Sequence, residues 1–249
     1  MVLEIKDLSQ KYRNTLGETD ALLNIEFSLH TGEILSILGP NGSGKSTLLK
    51  CIINILQHEG EVLIDGILVK SLKRKKIAKK IALLSQHNSS FFNFTVYERV
   101  KMGAYSSEIS EEPSEKKVNE VLDMLDLSQF KNRPVNALSG GQFQRVLIAA
   151  ALVQEAEVIM LDEPTNHLDI KYQLELIELL KSINKNKIII SVMHNIDLAM
   201  NLTDKMLVLN KGEIRFFGNS DELIKRNILN EVYETDIRAF TLKNMERWK

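Results

Sequence analysis

An α/β fold is the class this sequence predicts, and three observations predict it. Continuous apolar runs of strand length recur at Ile34-Leu35-Ser36-Ile37-Leu38, at Val158-Ile159-Met160-Leu161 and over residues 188–192, as strands buried on both faces of a parallel sheet do. Stripes of helical period stand between them, as at Val118, Val121, Leu122 and Leu125. A glycine-rich loop, Gly39-Pro40-Asn41-Gly42-Ser43-Gly44-Lys45-Ser46-Thr47, joins the first run to the helix-like Leu48-Leu49-Lys50-Cys51-Ile52-Ile53.

Taken in chain order, Val2-Leu3-Glu4-Ile5-Lys6-Asp7 alternates sides as a half-buried strand does. Leu23, Ile25, Phe27 and Leu29 alternate more cleanly, with Asn24, Glu26 and Ser28 facing away, and Gln10-Lys11-Tyr12-Arg13-Asn14 between the two reads as a polar loop. Residues 60–69 read as a hairpin, because Asp65-Gly66 between apolar runs suits a tight turn of positive φ. An antiparallel β layer is therefore expected in the first third of the chain, beside the strand that feeds the glycine-rich loop.

Lys73-Arg74-Lys75-Lys76 and Lys79-Lys80 cluster around Ile77, Ala78 and Ile81, the pattern of a solvated helix face rather than a nucleic-acid patch. Ile81-Ala82-Leu83-Leu84-Ser85 then reads as a short buried strand ending at Gln86, and residues 108–112 as an acidic loop before the striped helix. Leu138-Ser139-Gly140-Gly141-Gln142 opens an apolar helix over residues 143–153. Further on, Leu174, Ile177 and Leu180 share a helical face, Asn210-Lys211-Gly212 marks a second hairpin, and Ser220 before Asp221-Glu222 is a candidate helix N-cap. The expected subdivision is a helical insertion over about 86–152 within a single domain, 1–249.

Composition narrows the function. In 249 residues, 32 Lys and Arg stand against 33 Asp and Glu, so no global basic field is available to attract nucleic acid. The first residues alternate charged with apolar side chains and lack the apolar core of a signal peptide. The longest apolar run, 146–153, is far shorter than a bilayer span, so a membrane role is expected to come through a partner. Cys51 is the single cysteine and fits core packing in a reducing compartment.

The chemistry concentrates in three places. A strand, a glycine-rich turn and a helix start place successive N–H groups and a helix dipole around a phosphate. Lys45 is placed for the β- and γ-phosphates and the Ser46 hydroxyl for Mg²⁺. Asp162 and Glu163 follow a buried strand directly, where adjacent carboxylates are costly without a cation, so Asp162 is the expected metal holder and Glu163 the residue acting on an attacking water. Ser139, Gly140 and Gly141 open a second anion-binding helix end.

In these motifs and their order the chain resembles the ATP-binding subunits of ABC transporters over nearly its whole length. Gly39, Pro40, Asn41, Gly42, Ser43, Gly44, Lys45, Ser46 and Thr47 look like the Walker A loop, residues 158–163 like Walker B, and 138–142 like the family signature. Asn166-His167-Leu168-Asp169 looks like the D-loop, Gln86 like the Q-loop glutamine that reaches nucleotide and metal, His194 like the switch histidine and Tyr12 like the aromatic that stacks on adenine. The resemblance implies a P-loop NTPase core with a mixed sheet, an antiparallel β layer and a helical subdomain. It also implies ATP and Mg²⁺, and a head-to-tail dimer in which Ser139, Gly140, Gly141 and Gln142 of one copy cap the ATP of the other, with Glu163, His194 and Lys45 as the catalytic set.

Transmembrane permease subunits, an indirect link to a substrate-binding protein and a peripheral place on the cytoplasmic face of the membrane are implied too. Within the family, Thr165-Asn166-His167-Leu168-Asp169-Ile170, Thr95-Val96-Tyr97-Glu98-Arg99-Val100 and Met193-His194-Asn195-Ile196-Asp197-Leu198-Ala199 resemble importers of ferric siderophores, haem and cobalamin. Ala104, Ser106, Ala150 and Asn195 depart from that group's usual residues. The alternatives are another transporter class or a soluble ABC ATPase acting on ribosomes or DNA, which usually carries tandem cassettes, coiled-coil insertions or basic arms.

Overall fold

The computed structural model describes residues 1–14, 17–84, 94–103, 111–166, 168–203, 205–237 and 239. A long hairpin, β1 (Val2–Asn14) and β2 (Gly17–His30), opens the chain, and β3 (Ile34–Leu38) leads through the glycine-rich loop into α1 (Lys45–Ile52). Then come β4 (Glu59–Ile64), β5 (Ile67–Leu68), α2 (Arg74–Lys80) and β6 (Ile81–Leu84). Three helices follow, α3 (Val96–Lys101), α4 (Glu111–Met124) and α5 (Gly140–Val153). The rest alternates: β7 (Val158–Asp162), α6 (Ile170–Ile183), β8 (Ile188–Val192), α7 (Ile196–Leu202), β9 (Lys205–Asn210), β10 (Glu213–Asn219), α8 (Ser220–Lys225) and α9 (Ile228–Tyr233).

Two sheets result, an antiparallel one ordered β2-β1-β4-β5 and a mixed one ordered β10-β9-β3-β8-β7-β6. In the second, β6, β7, β8, β3 and β9 run parallel, and β10 returns antiparallel to β9 at the edge. Alternate residues of the parallel strands serve two cores. Leu35, Ile37, Val158 and Met160 pack with α1 and the antiparallel layer, whereas Leu38, Ile159, Leu161 and Ile189 pack with the helical side. A strand apolar on both faces is what that double packing needs. Cys51 is buried in the first core, and burial pushes its thiol up to about 12, as expected for a packing residue.

The turns fall where their chemistry placed them. Asp65 and Gly66 have φ of 51° and 74°, and Lys211 and Gly212 have φ of 49° and 80°. α2 exposes Arg74, Lys75 and Lys76 as the solvated face expected and buries Ile77, while Lys79 and Lys80 are half-buried.

Five expectations are corrected. Residues 10–14 are strand, not loop: Lys11, Tyr12 and Arg13 face Asp20, Thr19 and Glu18 across an exposed ribbon, with ion pairs of 3.4 Å (Lys11–Asp20) and 2.8 Å (Arg13–Glu18). Leu22, not Leu23, is the buried partner of Ile25, Phe27 and Leu29, because Asn24 adopts φ 47° and shifts the alternation by one residue. In α6, Leu174 is 44% exposed while Leu176, Ile177 and Leu180 are buried. The cap of α8 is Asn219, whose side chain accepts from the Glu222 N–H at 2.9 Å, so Ser220 is already the first helical residue. Glu111 and Glu112 belong to α4, not to an acidic loop.

Candidate functional site

The site lies at the carboxyl ends of the parallel strands, where chain order reverses about β3: its neighbours β8 and β9 leave in opposite directions across the sheet. There the loop of residues 39–44 leaves β3 and turns into α1. Gly39 has φ 148°, and a Cβ on it would stand 2.1 Å from the Leu209 carbonyl oxygen, so only glycine fits at the loop's start. Gly44 caps α1 in the left-handed region at φ 105°.

Lys45 is buried, and its ammonium donates to the Gly39 and Pro40 carbonyls at 2.7 and 2.8 Å. Burial lowers its pKa against the opposing pull of Glu163 and Asp162. Ser43 is also buried, and its hydroxyl meets no partner among the described residues. A cradle holding a folded-back cation and an unmatched hydroxyl suits an anionic ligand. At the rim, the Tyr12 and Thr47 hydroxyls share a hydrogen bond of 3.2 Å, which places Tyr12, on the exposed end of β1, beside the loop.

The carboxylates arrive on β7. Asp162 Oδ1 accepts from the Ser46 hydroxyl at 3.1 Å, so two of the three expected metal holders are neighbours. Hard oxygen donors of this kind suit Mg²⁺, which completes its shell with water and phosphate oxygens. Among the described residues no group of three or more His, Cys, Asp and Glu gathers to hold a metal by itself.

Glu163 follows with φ 56°, a left-handed backbone, and its N–H donates to the Val192 carbonyl at 3.1 Å. Its carboxylate lies between two side chains, His194 Nε2 at one oxygen and Asn166 Nδ2 at the other. His194 comes from just past β8, and the cap of the following α7 is Asn195, which accepts from the Leu198 N–H at 3.0 Å.

The third set stands on α5. Ser139 caps the helix reciprocally with Gln142: the Ser139 N–H donates to Gln142 Oε1 at 3.0 Å and the Gln142 N–H to Ser139 Oγ at 3.3 Å. Gly141 is buried, and a Cβ there would sit 2.8 Å from the Tyr172 ring. Ser139 and Gly140 are exposed, and among the described residues no hydrogen bond or ion pair joins 139–142 to 39–47. Gly140, Phe143 and Gln144 do face Asp162, Glu163 and Asn166 across a cavity of about 170 Å³.

Tyr12, residues 39–47, Asp162, Glu163 and His194 are thus gathered, and Ser139 to Gln142 stand at a helix start of their own, with Gly140 across the cavity from Asp162 and Glu163. Gln86 and His167 lie outside the described residues. Two contacts escaped sequence reasoning. Asn166 was legible only as part of a motif, not as a partner of Glu163, and Tyr233, whose hydroxyl accepts from the Gly39 N–H at 3.0 Å, is too far along the chain for any local pattern to reveal.

A family model described as ABC transporter matches residues 22–166. An uncharacterized ABC transporter ATP-binding protein of Methanocaldococcus jannaschii is 39% identical over 242 residues, 95% of this chain and 92% of its own. The iron(3+)-hydroxamate import ATP-binding protein FhuC of Bacillus subtilis is 34% identical over 232 residues, 90% of this chain and 86% of its own. Two solved structures are similar over most of this chain. One is cbiO1 from Clostridium perfringens, part of the ABC transporter complex cbiONQ, with a TM-score of 0.81 at 31% identity over 97% of this chain and 98% of the other. The second is a dimeric bacterial ABC transporter cassette, with a TM-score of 0.77 at 33% identity over 87% of this chain and 98% of the other.

Proposed function

The chain belongs to the ABC transporter family, and from that premise we propose that two copies of it close over two ATP molecules and use their hydrolysis to power import of a metal chelate. ATP-binding proteins of this family are ATPases coupled to transport. The observation that carries the dimer reading is that, among the described residues, no hydrogen bond or ion pair joins the phosphate cradle of one chain to its exposed, capped helix start at Ser139. A second copy, turned head to tail, supplies what each cradle lacks. Similarity to a cassette solved as a dimer supports the same arrangement.

In this reading the amides of residues 41–46 wrap the phosphates, Tyr12 stacks on adenine, and Lys45 leaves the Gly39 and Pro40 carbonyls for phosphate oxygens. Ser46, Asp162 and Gln86 would hold Mg²⁺, which neutralises charge developing on the phosphates. Glu163 orients and deprotonates the attacking water, and His194 contacts the γ-phosphate. Ser139 and the Gly140 and Gly141 amides of the partner copy add charge-assisted bonds that exist only when the pair is closed, so ATP favours closure and hydrolysis releases it. Gln142 takes part through its cap on Ser139. The chain acts as one domain with a helical subdomain over about 86–152.

Among the described residues no helix is long and apolar enough to cross a membrane. By similarity to a part of an ABC transporter complex, the proposed place is peripheral, on the cytoplasmic face beneath permease subunits, with a substrate-binding protein delivering cargo to them. Similarity to an iron(3+)-hydroxamate import protein supports a metal chelate as that cargo, ferric siderophore first and haem or cobalamin next. The test is uptake of radiolabelled ferric hydroxamate by cells whose only copy of this chain carries Glu163→Gln. Uptake should fall to background, and undiminished uptake alongside lost ATPase activity would overturn the chelate assignment.

A further inference from the structure

We propose that Tyr233 is a positioning residue of the nucleotide site, fixing the start of the phosphate loop from α9; this rests on the ATP-binding reading above. The ladder of β3 ends at Leu38, paired with Val208, and at Ile37, whose carbonyl receives the Met193 N–H. Gly39 is thus the first residue past the ladder, and the Tyr233 hydroxyl meets its N–H at 3.0 Å across 194 positions of sequence.

Gly39 has no slack. A Cβ on it would stand 2.1 Å from the Leu209 carbonyl oxygen and 2.7 Å from Ser43 Oγ. Its own carbonyl accepts from the Lys45 ammonium at 2.7 Å. One residue is therefore held on its nitrogen side by Tyr233 and on its oxygen side by the lysine that must move to the phosphates. When Lys45 leaves, the oxygen side is released and the Tyr233 bond still holds the Gly39 N–H where the loop departs.

The phenol is itself well held. Leu229 and Val232 of α9 are buried in the core on the helical side of the sheet, with the Tyr233 ring packed against the same core. Burial raises the Tyr233 pKa, against the opposing Gly39 bond, so the hydroxyl stays neutral. A buried N–H left without an acceptor is costly, so loss of the hydroxyl falls on the loop at Gly39 rather than on α9.

The experiment uses the full chain with Tyr233→Phe, which keeps the ring, and Tyr233→Ala. Read-outs are KM and kcat for ATP, affinity for a non-hydrolysable ATP analogue with Mg²⁺, and hydrogen exchange of the Gly39 amide. Tyr233→Phe should raise KM and weaken analogue binding by about three- to tenfold, the weight of one hydrogen bond, with kcat at saturation within about twofold of the parent. Gly39 exchange should accelerate in the same variant. Parental KM and Gly39 exchange in Tyr233→Phe, with losses only in Tyr233→Ala, would reduce Tyr233 to packing and overturn the proposal. A parent chain that binds no ATP would instead overturn the nucleotide reading on which it rests.

Discussion

Replacing Glu163 by Gln tests the chemistry with the least disturbance to the structure. Glu163 is held by its N–H to the Val192 carbonyl at 3.1 Å and by a carboxylate lying between His194 and Asn166. A glutamine has the same shape, and its amide oxygen can still accept from Asn166. What disappears is the capacity to take a proton from water. General-base catalysis is worth roughly 10²- to 10⁴-fold, or about 2.7–5.4 kcal/mol on the barrier. Phosphate release at saturating ATP and Mg²⁺ should slow by that factor, while affinity for a non-hydrolysable analogue stays within about threefold, since no bond to the phosphates is removed. Turnover within a few-fold of the parent would take the base role from Glu163. An affinity loss as large as the rate loss would show that the side chain holds the loop rather than the water.

Other parts of the structure make separate predictions. On α6, Ile177→Ala should cost about 2–5 kcal/mol in denaturant unfolding and Leu174→Ala within about 0.5, because the first is buried and the second 44% exposed; equal costs would contradict the observed face. Gly141→Ala should lower the melting temperature and weaken ATP-driven pairing, since its Cβ would meet the Tyr172 ring at 2.8 Å, and a variant as stable and active as the parent would show that the ring yields freely.

Burial holds the Cys51 thiol neutral up to about 12, against 9.0 without burial. The unfolded chain therefore ionises first, and this group's share of stability, full below about pH 9, is lost as pH rises towards 12. Stability should fall more steeply between pH 8 and 10.5 in the parent than in Cys51→Ala, and a maleimide should label Cys51 at pH 8 only after denaturation. Parallel pH curves would contradict the assigned burial effect.

How much of this was legible in the sequence depended on whether the signal was local. β3 and β8 have the bounds their apolar runs indicated, since a strand buried on both faces carries no competing pattern. Both tight turns were legible because Asp65-Gly66 and Lys211-Gly212 satisfy a backbone requirement within two residues. The ribbon formed by Lys11, Tyr12 and Arg13 was not, because its stability comes from cross-strand partners on an exposed surface and leaves no apolar period. Leu22 was missed for a related reason: one left-handed residue, Asn24, reverses the alternation on which the reading depended.

At the site, residue type and spacing marked which loop and which carboxylates to look for. The contacts between distant segments did not, because Ser46 to Asp162, Glu163 to His194 and Gly39 to Tyr233 exist only once the strands are laid side by side. The helix cap at Ser139 and Gln142 is the intermediate case, visible as a spacing of three and completed by geometry.

The claim on which the account turns is that ATP is enclosed by two copies of the chain, one through Lys45 and Ser46 and the other through Ser139. Sedimentation of Glu163→Gln with ATP and Mg²⁺, alone and with its permease, measures this directly when run beside the double variant carrying Ser139→Arg. The single variant should sediment as a dimer retaining one ATP per chain, and the double variant should still bind ATP yet remain monomeric. ATP-loaded Glu163→Gln chains that stay apart under both conditions, or double-variant chains that pair equally well, would contradict the composite site.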